Sequence, residues 1–314
     1  MVVVNMKKLL FLFIIAPFLS FSQNYNGPES IEYNQLTGSY FIANSNNGQI
    51  LELDINNNLS VFATNLGSGP HGLEIVNSII YVCSGGRLKG YETSTGDQVL
   101  NYNLNGSFLN GITQMNYAGE INLFITDFSA KKLYKYNIEE NSHDEICSFS
   151  KNPNGTYYDS INNRLLVVFW GNNAPVYEID LTNETYSTII NTGLGNLDGI
   201  SMDQCGNFYV SAWSSNAVHK YNFDFSETEL VTSNLSNPAD IYYNQYDNIL
   251  AVPNSGNNTV DFVFYPCDNS SIQEKTSNKN LIKTIDIIGR KTTNKNFKIH
   301  IYDDGSADKK YLIN

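Results

Sequence analysis

Leu197-Asp198-Gly199-Ile200 is one of six copies of a four-residue phrase that usually ends on an apolar residue. The others are Pro28-Glu29-Ser30-Ile31, Pro70-His71-Gly72-Leu73, Leu109-Asn110-Gly111-Ile112, Pro153-Asn154-Gly155-Thr156 and Pro238-Ala239-Asp240-Ile241. Counted from the second position of the phrase, the steps are 42, 39, 44, 44 and 41 residues. A period of this size marks a propeller or a solenoid.

The content between the phrases decides for the propeller. Each interval holds short runs rich in Val, Ile, Tyr and Phe, broken by Asn, Gly, Asp and Ser, which is strand and turn chemistry rather than helical spacing. Second strands are expected at Tyr40 to Asn44, Ile79 to Cys83, Leu123 to Asp127, Leu165 to Trp170, Phe208 to Trp213 and Ile249 to Pro253. Third strands alternate polar and apolar residues, as in Gln49 to Asp54 and Pro175 to Asp180, the period of a half-buried strand. Fourth strands close the first five repeats, for example Ser60 to Asn65 and Tyr186 to Asn191, and none is evident after Tyr265. Four antiparallel strands repeated about an axis make an all-β, six-bladed propeller with a central channel. How such a ring closes is left open by the incomplete sixth repeat.

The flanks read differently. Lys7 and Lys8 precede an apolar run from Leu9 to Phe21 that ends in Ser20-Phe21-Ser22, the pattern of a signal peptide over residues 1–22, cut before Gln23. That run is too short for a membrane span, which needs about 20 residues. The propeller is expected over 23–267, a polar linker over 268–280, and a strand-and-turn unit over 281–314. Export would carry the chain through the periplasm to the medium or the cell surface.

Residues 27–267 hold 25 Asp and Glu against 8 Lys and Arg. Nucleic acid and anionic membranes are poor partners for such a surface, whereas a cation is a good one. Cys83, Cys147, Cys205 and Cys267 sit in a chain bound for an oxidising space, which permits disulfides in any of three pairings. None belongs to a zinc-type cluster. Gly67-Ser-Gly-Pro-His-Gly72 fits a dinucleotide-binding pattern but precedes a strand instead of opening a helix, so it is discounted.

The second position of each phrase precedes the innermost strand, and innermost strands line the channel. Glu29, His71, Asn110, Asn154 and Asp198 therefore face one another, with Ala239 in the sixth place and Asp240 one residue on. Polar groups gathered on an axis cost free energy unless something polar is bound. Glu29, Asn110, Asn154 and Asp198 offer carboxylate and amide oxygens without thiolates, a set for a hard cation such as Ca²⁺ or Mg²⁺, with Zn²⁺ a further candidate. The competing explanation is that Asn or Asp before Gly is a turn residue in a left-handed conformation, repeated because the turn repeats.

These residues resemble the calcium-dependent six-bladed propellers that include paraoxonase, gluconolactonase and the senescence-marker protein family. The resemblance implies that Glu29, Asn110, Asn154 and Asp198 hold the catalytic ion, and that His71, in Pro70-His71-Gly72-Leu73, acts on the attacking water. Outside the ring it rests on the blade pattern alone. Phe108 stands where gluconolactonase-like members often place an Arg, and Gly199 follows Asp198 where paraoxonase-like members have a further Asn. No cysteine precedes Cys83, so the paraoxonase-type disulfide between chain ends cannot form. The segments Ile285-Asp-Ile-Ile-Gly-Arg290 and Ile301-Tyr-Asp-Asp-Gly305 resemble the C-terminal sorting domain of the type IX secretion system found in Bacteroidetes. That implies the secretion machinery as a partner and no chemistry in this unit.

The expected function is metal-dependent hydrolysis of a lactone or related ester, with His71 or Asp198 taking the water proton and Phe108, Tyr157 and Trp213 forming an apolar pocket wall for a small-molecule substrate. A non-enzymatic propeller that binds a ligand or surface partner around a structural ion is one alternative, and a propeller lyase is another. A monomer is expected in each case.

Overall fold

The computed structural model describes residues 24–67, 69–117, 119–267, 281–285, 290, 297–302 and 307–311. The signal peptide and linker expected over 1–22 and 268–280 lie outside them, as do 286–289 and 303–306 of the sorting-domain motifs. The chain divides into two compact units, Met1–Cys267 and Asp268–Asn314.

The first unit is a six-bladed β-propeller, and among the described residues it contains no α-helix. Five blades are four-stranded antiparallel sheets whose strands follow chain order from the axis outward, and the sixth has three strands. The inner strands are Pro28–Asn34, Leu73–Val76, Leu109–Tyr117, Pro153–Asp159, Leu197–Met202 and Tyr242–Asn244. Thr259–Phe264 is the outer strand of blade six, and among the described residues no strand pairs with its outer edge.

One local device builds the first hairpin of several blades. Asn34, Asp159 and Asn244 each accept a hydrogen bond through the side-chain oxygen from the backbone N–H two residues on, at 3.0 Å in each case. The same loops end at Gly38, Asn163 and Asn248 with φ of 71°, 51° and 55°. Asx side chains mimic the turn, and Gly or Asn tolerates the left-handed residue that finishes it.

The core lies between blades. Phe41 and Ile50 of blade one pack with Leu73, Ile80 and Val82 of blade two, and Leu166 and Val168 of blade four pack with Ile200, Phe208 and Val210 of blade five. Each such side chain, fully withdrawn from water, contributes about 1.5–3 kcal/mol.

Closure of the ring, left open by the sequence, uses no strand exchanged between chain ends among the described residues. Asp240 N–H donates to the Glu29 carbonyl at 2.9 Å, Ser30 Oγ donates to Asp240 Oδ2 at 2.8 Å, and Gly27 N–H donates to Asn258 Oδ1 at 2.7 Å. Ile31, Ile42 and Leu51 share a core cluster with Ala251 of blade six. Cys205 and Cys267 form a disulfide across 62 residues that ties the end of blade six to the first hairpin of blade five. Cys83 and Cys147 are free thiols. Closing a loop of that length contributes about 4 kcal/mol in the chain-entropy treatment.

The second unit contains one three-stranded antiparallel sheet of Leu281–Ile285, Phe297–Tyr302 and Ala307–Tyr311.

Candidate functional site

In four of the six blades the repeated phrase is a β-bulge, not a turn. The inner pairings lose register between Pro28 and Ser30, between Pro153 and Thr156 and between Leu197 and Ile200, and the blade-three pairing shifts opposite Asn110. Glu29, Asn154 and Asp198 therefore sit inside the extra residues of their strands. A bulge re-aims a side chain that would otherwise lie on a sheet face. None of Asn110, Asn154, Asp198 or the glycines after them has positive φ, which removes the left-handed-turn explanation of the phrase.

Close approach explains the glycines instead. A Cβ at Gly72 would lie 2.2 Å from the Asn110 carbonyl oxygen, one at Gly111 2.4 Å from that of Asn154, and one at Gly155 2.5 Å from that of Asp198. Each phrase rests against the backbone of the next. Gly72 N–H donates to the Asn110 carbonyl at 2.9 Å, the Thr126 hydroxyl donates to the Asn154 carbonyl at 2.6 Å, and Ser211 donates to the Ala239 carbonyl at 2.7 Å.

The hub that results is polar and poorly satisfied. Asn110, Asn154 and Asp198 are 5%, 2% and 2% exposed, and His71 is 8% exposed. Asn154 Oδ1, Asp198 Oδ1 and His71 Nδ1 are buried with no hydrogen-bond partner. Asn154 Nδ2 is fixed by the Leu197 carbonyl at 3.1 Å, which leaves the amide oxygen as the free end. Burial pushes Glu29 up to about 7, with Asp240 adding to it. Asp198 is raised well above the carboxylate range by burial, then by Glu29 and Asp240. Carboxylates that raise one another in a buried place are a site lacking a positive charge. Two unpartnered buried oxygens beside Glu29 fit a divalent cation by the same logic. Burial lowers His71 to about 4, so its imidazole is neutral throughout the neutral pH range.

Around this mouth runs an aromatic arc. His71 meets Phe108 edge-on at 4.5 Å, Phe108 meets Phe128 at 5.6 Å, Phe128 meets Trp170 at 6.0 Å, and Trp170 meets Trp213 at 4.9 Å. Phe108 is positioned by Asp127, whose carboxylate accepts the Ser107 and Phe108 N–H groups at 2.6 and 3.1 Å. The sequence supplied Phe108 and Trp213. Phe128 and Trp170 complete the wall, and each stands at the end of a second strand of its blade.

Tyr157 belongs elsewhere. It lies three residues past Asn154, about 10 Å down the strand. The same count from Glu29, His71, Asn110, Asp198 and Ala239 reaches Glu32, Glu74, Thr113, Ser201 and Tyr242. All six line a cavity of about 450 Å³ whose floor is Ile31, Leu73, Ile112, Thr156, Ile200 and Ile241. The structure thus separates Tyr157 from Phe108 and Trp213 and puts it in a second chamber of the channel.

Among the described residues, one group of three His, Cys, Asp or Glu side chains brings ligand atoms within 4.8 Å of one another: Asp203, Cys205 and Cys267. Its two sulfurs are spent in the disulfide, so this group is no metal centre. The hub set is of another kind, two carboxylates and two amides.

No family model matches the chain, and no curated protein matches it. Solved structures share the fold. A protein of unknown function from Bacteroides thetaiotaomicron VPI-5482 aligns at a TM-score of 0.62 and 12% identity, over 76% of this chain and 69% of that one. The crystal structure of a nidogen/laminin complex aligns at 0.57 and 14% identity, over 70% of this chain and 91% of its own. Virginiamycin B lyase from Staphylococcus aureus aligns at 0.55 and 15% identity, over 93% of this chain and 98% of its own. Among the described residues no helix is long and apolar enough to cross a membrane.

Proposed function

We propose that the hub is a divalent-cation site serving the hydrolysis of lactones or related esters. The observation that carries this reading is the pair of buried, unpartnered oxygens Asn154 Oδ1 and Asp198 Oδ1 beside the raised Glu29 carboxyl. Glu29, Asn110, Asn154 and Asp198 would hold the cation, and a bound Ca²⁺ would supply Lewis acidity to an ester carbonyl. His71, neutral at working pH, has a free Nδ1 that accepts a proton from water. Phe108 packs edge-on against the His71 ring and restricts its rotation. Phe128, Trp170 and Trp213 offer apolar faces to the substrate body and exclude water from the reacting end. The chain would be exported, with residues 281–314 as the secretion address and the propeller acting alone.

Calorimetric titration of the purified protein with Ca²⁺, Mg²⁺ and Zn²⁺, together with a lactone panel followed by titration of released acid, tests this. One cation per chain is expected, with turnover lost to chelator and in Glu29→Gln. Cation binding equal in wild type and Glu29→Gln overturns the reading. The extended overlap with virginiamycin B lyase supports elimination as a second reading. Product mass separates the two: hydrolysis adds one water to the substrate, whereas ring-opening elimination leaves the mass unchanged. Cation binding with no turnover of any kind would instead mark a ligand-binding propeller with a structural ion.

A further inference from the structure

The chamber below the hub contains more than a cluster of acids. Its cavity of about 450 Å³ falls within the range of small-molecule sites. Glu32 and Glu74 enter from adjacent blades, Tyr157 and Tyr242 from two others, and Asp240 lies in the same wall. No Lys, Arg or His is among the lining residues.

Some of the lining groups are already engaged and others are not. Ser201 Oγ accepts from Tyr243 N–H at 2.9 Å and Thr113 Oγ1 from Tyr158 N–H at 3.3 Å, so both hydroxyls are already engaged with backbone. A Gln114 backbone N–H serves Glu74. The Glu32 carboxylate and the phenols of Tyr157 and Tyr242 hold no hydrogen bond within the described protein. Glu32 and Glu74 are half-buried, and a ligand that brings a positive charge into an acid-lined cavity without Lys, Arg or His is favoured there.

We propose that this chamber binds an organic cation, an alkylammonium group carried on an apolar or aromatic body. Two carboxylates and two phenols match the donors and the charge of an ammonium head, and the phenol rings add cation–π attraction. The floor of Ile31, Leu73, Ile112, Ile200 and Ile241 matches a carbon body. A hard metal ion is a poorer match, because it asks for six or more oxygens and the floor of this chamber is apolar.

Electrostatics supplies a signature of occupancy. Burial, then Glu74 and Asp240, hold Glu32 well above the usual carboxylate range. Burial pushes Glu74 up to about 8, the Gln114 N–H relieving it and Asp240 adding to it. The other titratable groups facing the pair are Tyr157 and Tyr242, both raised first by burial and then by these glutamates. A cation seated between the glutamates favours their ionised forms and releases protons to solvent.

Full-length protein titrated with benzylammonium chloride, in two buffers of different ionisation heat, tests the proposal. Saturable binding with proton release at pH 7 is expected, and benzyl alcohol, the neutral counterpart, does not bind. The Glu32→Gln/Glu74→Gln double variant weakens binding by at least about tenfold. Gln keeps the shape and removes buried charge, and a thermal melt verifies that the variant is folded. Glu29→Gln, or chelator, leaves benzylammonium binding intact, so failure of the hub cation site and failure of this site are read separately. No saturable binding, equal binding in the double variant, or occupation of the chamber by Ca²⁺ in place of the amine overturns the proposal.

Discussion

The hub ring and the ring three residues below it are built by the same six strands and differ in almost every chemical respect. At the hub, bulged backbone and glycine contacts crowd the axis, and the free groups are amide and carboxylate oxygens with one neutral imidazole. Below, the strands pair in regular register, and two glutamates and two tyrosines stand over an apolar floor. The lesson is that register, not blade identity, partitions the chemistry of this channel: one strand delivers Asn154 to one ligand environment and Tyr157 to another.

The largest expected effect breaks the two rings apart. Glu29→Gln should lower hydrolysis roughly a hundredfold or more, as loss of a Lewis acid does, while amine binding below persists. Calorimetry and turnover on one preparation check both halves. Next in size is Gly155→Ala. Its Cβ would sit 2.5 Å from the Asp198 carbonyl oxygen, and forcing that contact apart should cost about 1–3 kcal/mol, read as a lower denaturant midpoint with the lower chamber still able to bind.

The third effect belongs to the lower ring. Glu74 is raised from the 4.5 of a free glutamate to about 8, so its contribution to stability is fully present below pH 4.5 and is lost as pH rises through 8. Ligand-free protein should melt a few degrees lower at pH 8.5 than at pH 5. Glu74→Gln should narrow that gap, and a scanning-fluorimetry pH series would show it. The smallest effect returns to the hub. Phe108→Ala admits water beside His71, and its pKa should climb from about 4 toward the usual 6.5, moving the acid limb of any pH–rate profile upward by about one unit.

The blade count, the second strands and a sixth blade of three strands among the described residues were legible, because the blade pattern repeats along the chain and a repeat needs no tertiary knowledge. Glycine after the hub residue was legible as a pattern, but its cause was not. A turn explanation and a close-contact explanation leave the same letters, and the contact at Gly111 is with a residue 43 positions on, Asn154. The second ring left a signal that a further count along each strand exposes: Glu32, Glu74, Thr113, Tyr157, Ser201 and Tyr242 stand at one register. Tyr157 was grouped with Phe108 and Trp213 by its aromatic character, whereas its register puts it in the lining of the lower chamber. The Cys205–Cys267 link could not be told from the other pairings, because only the return of the chain beside blade five brings the two sulfurs together.

In blades one to five a fourth strand shelters the third, whereas in blade six Thr259–Phe264 presents its own N–H and C=O groups outward, with Phe262 40% and Phe264 68% exposed. Among the described residues blade six is held by fewer strand pairings than the others, and its inner strand is only Tyr242–Asn244, so amide exchange should be fast there and heat should loosen this sheet early. Because the disulfide anchors the chain just beyond that edge, peeling stops at Cys267 and the strand can reseat. A seam that loosens and closes again would then lie where beginning and end of the propeller meet.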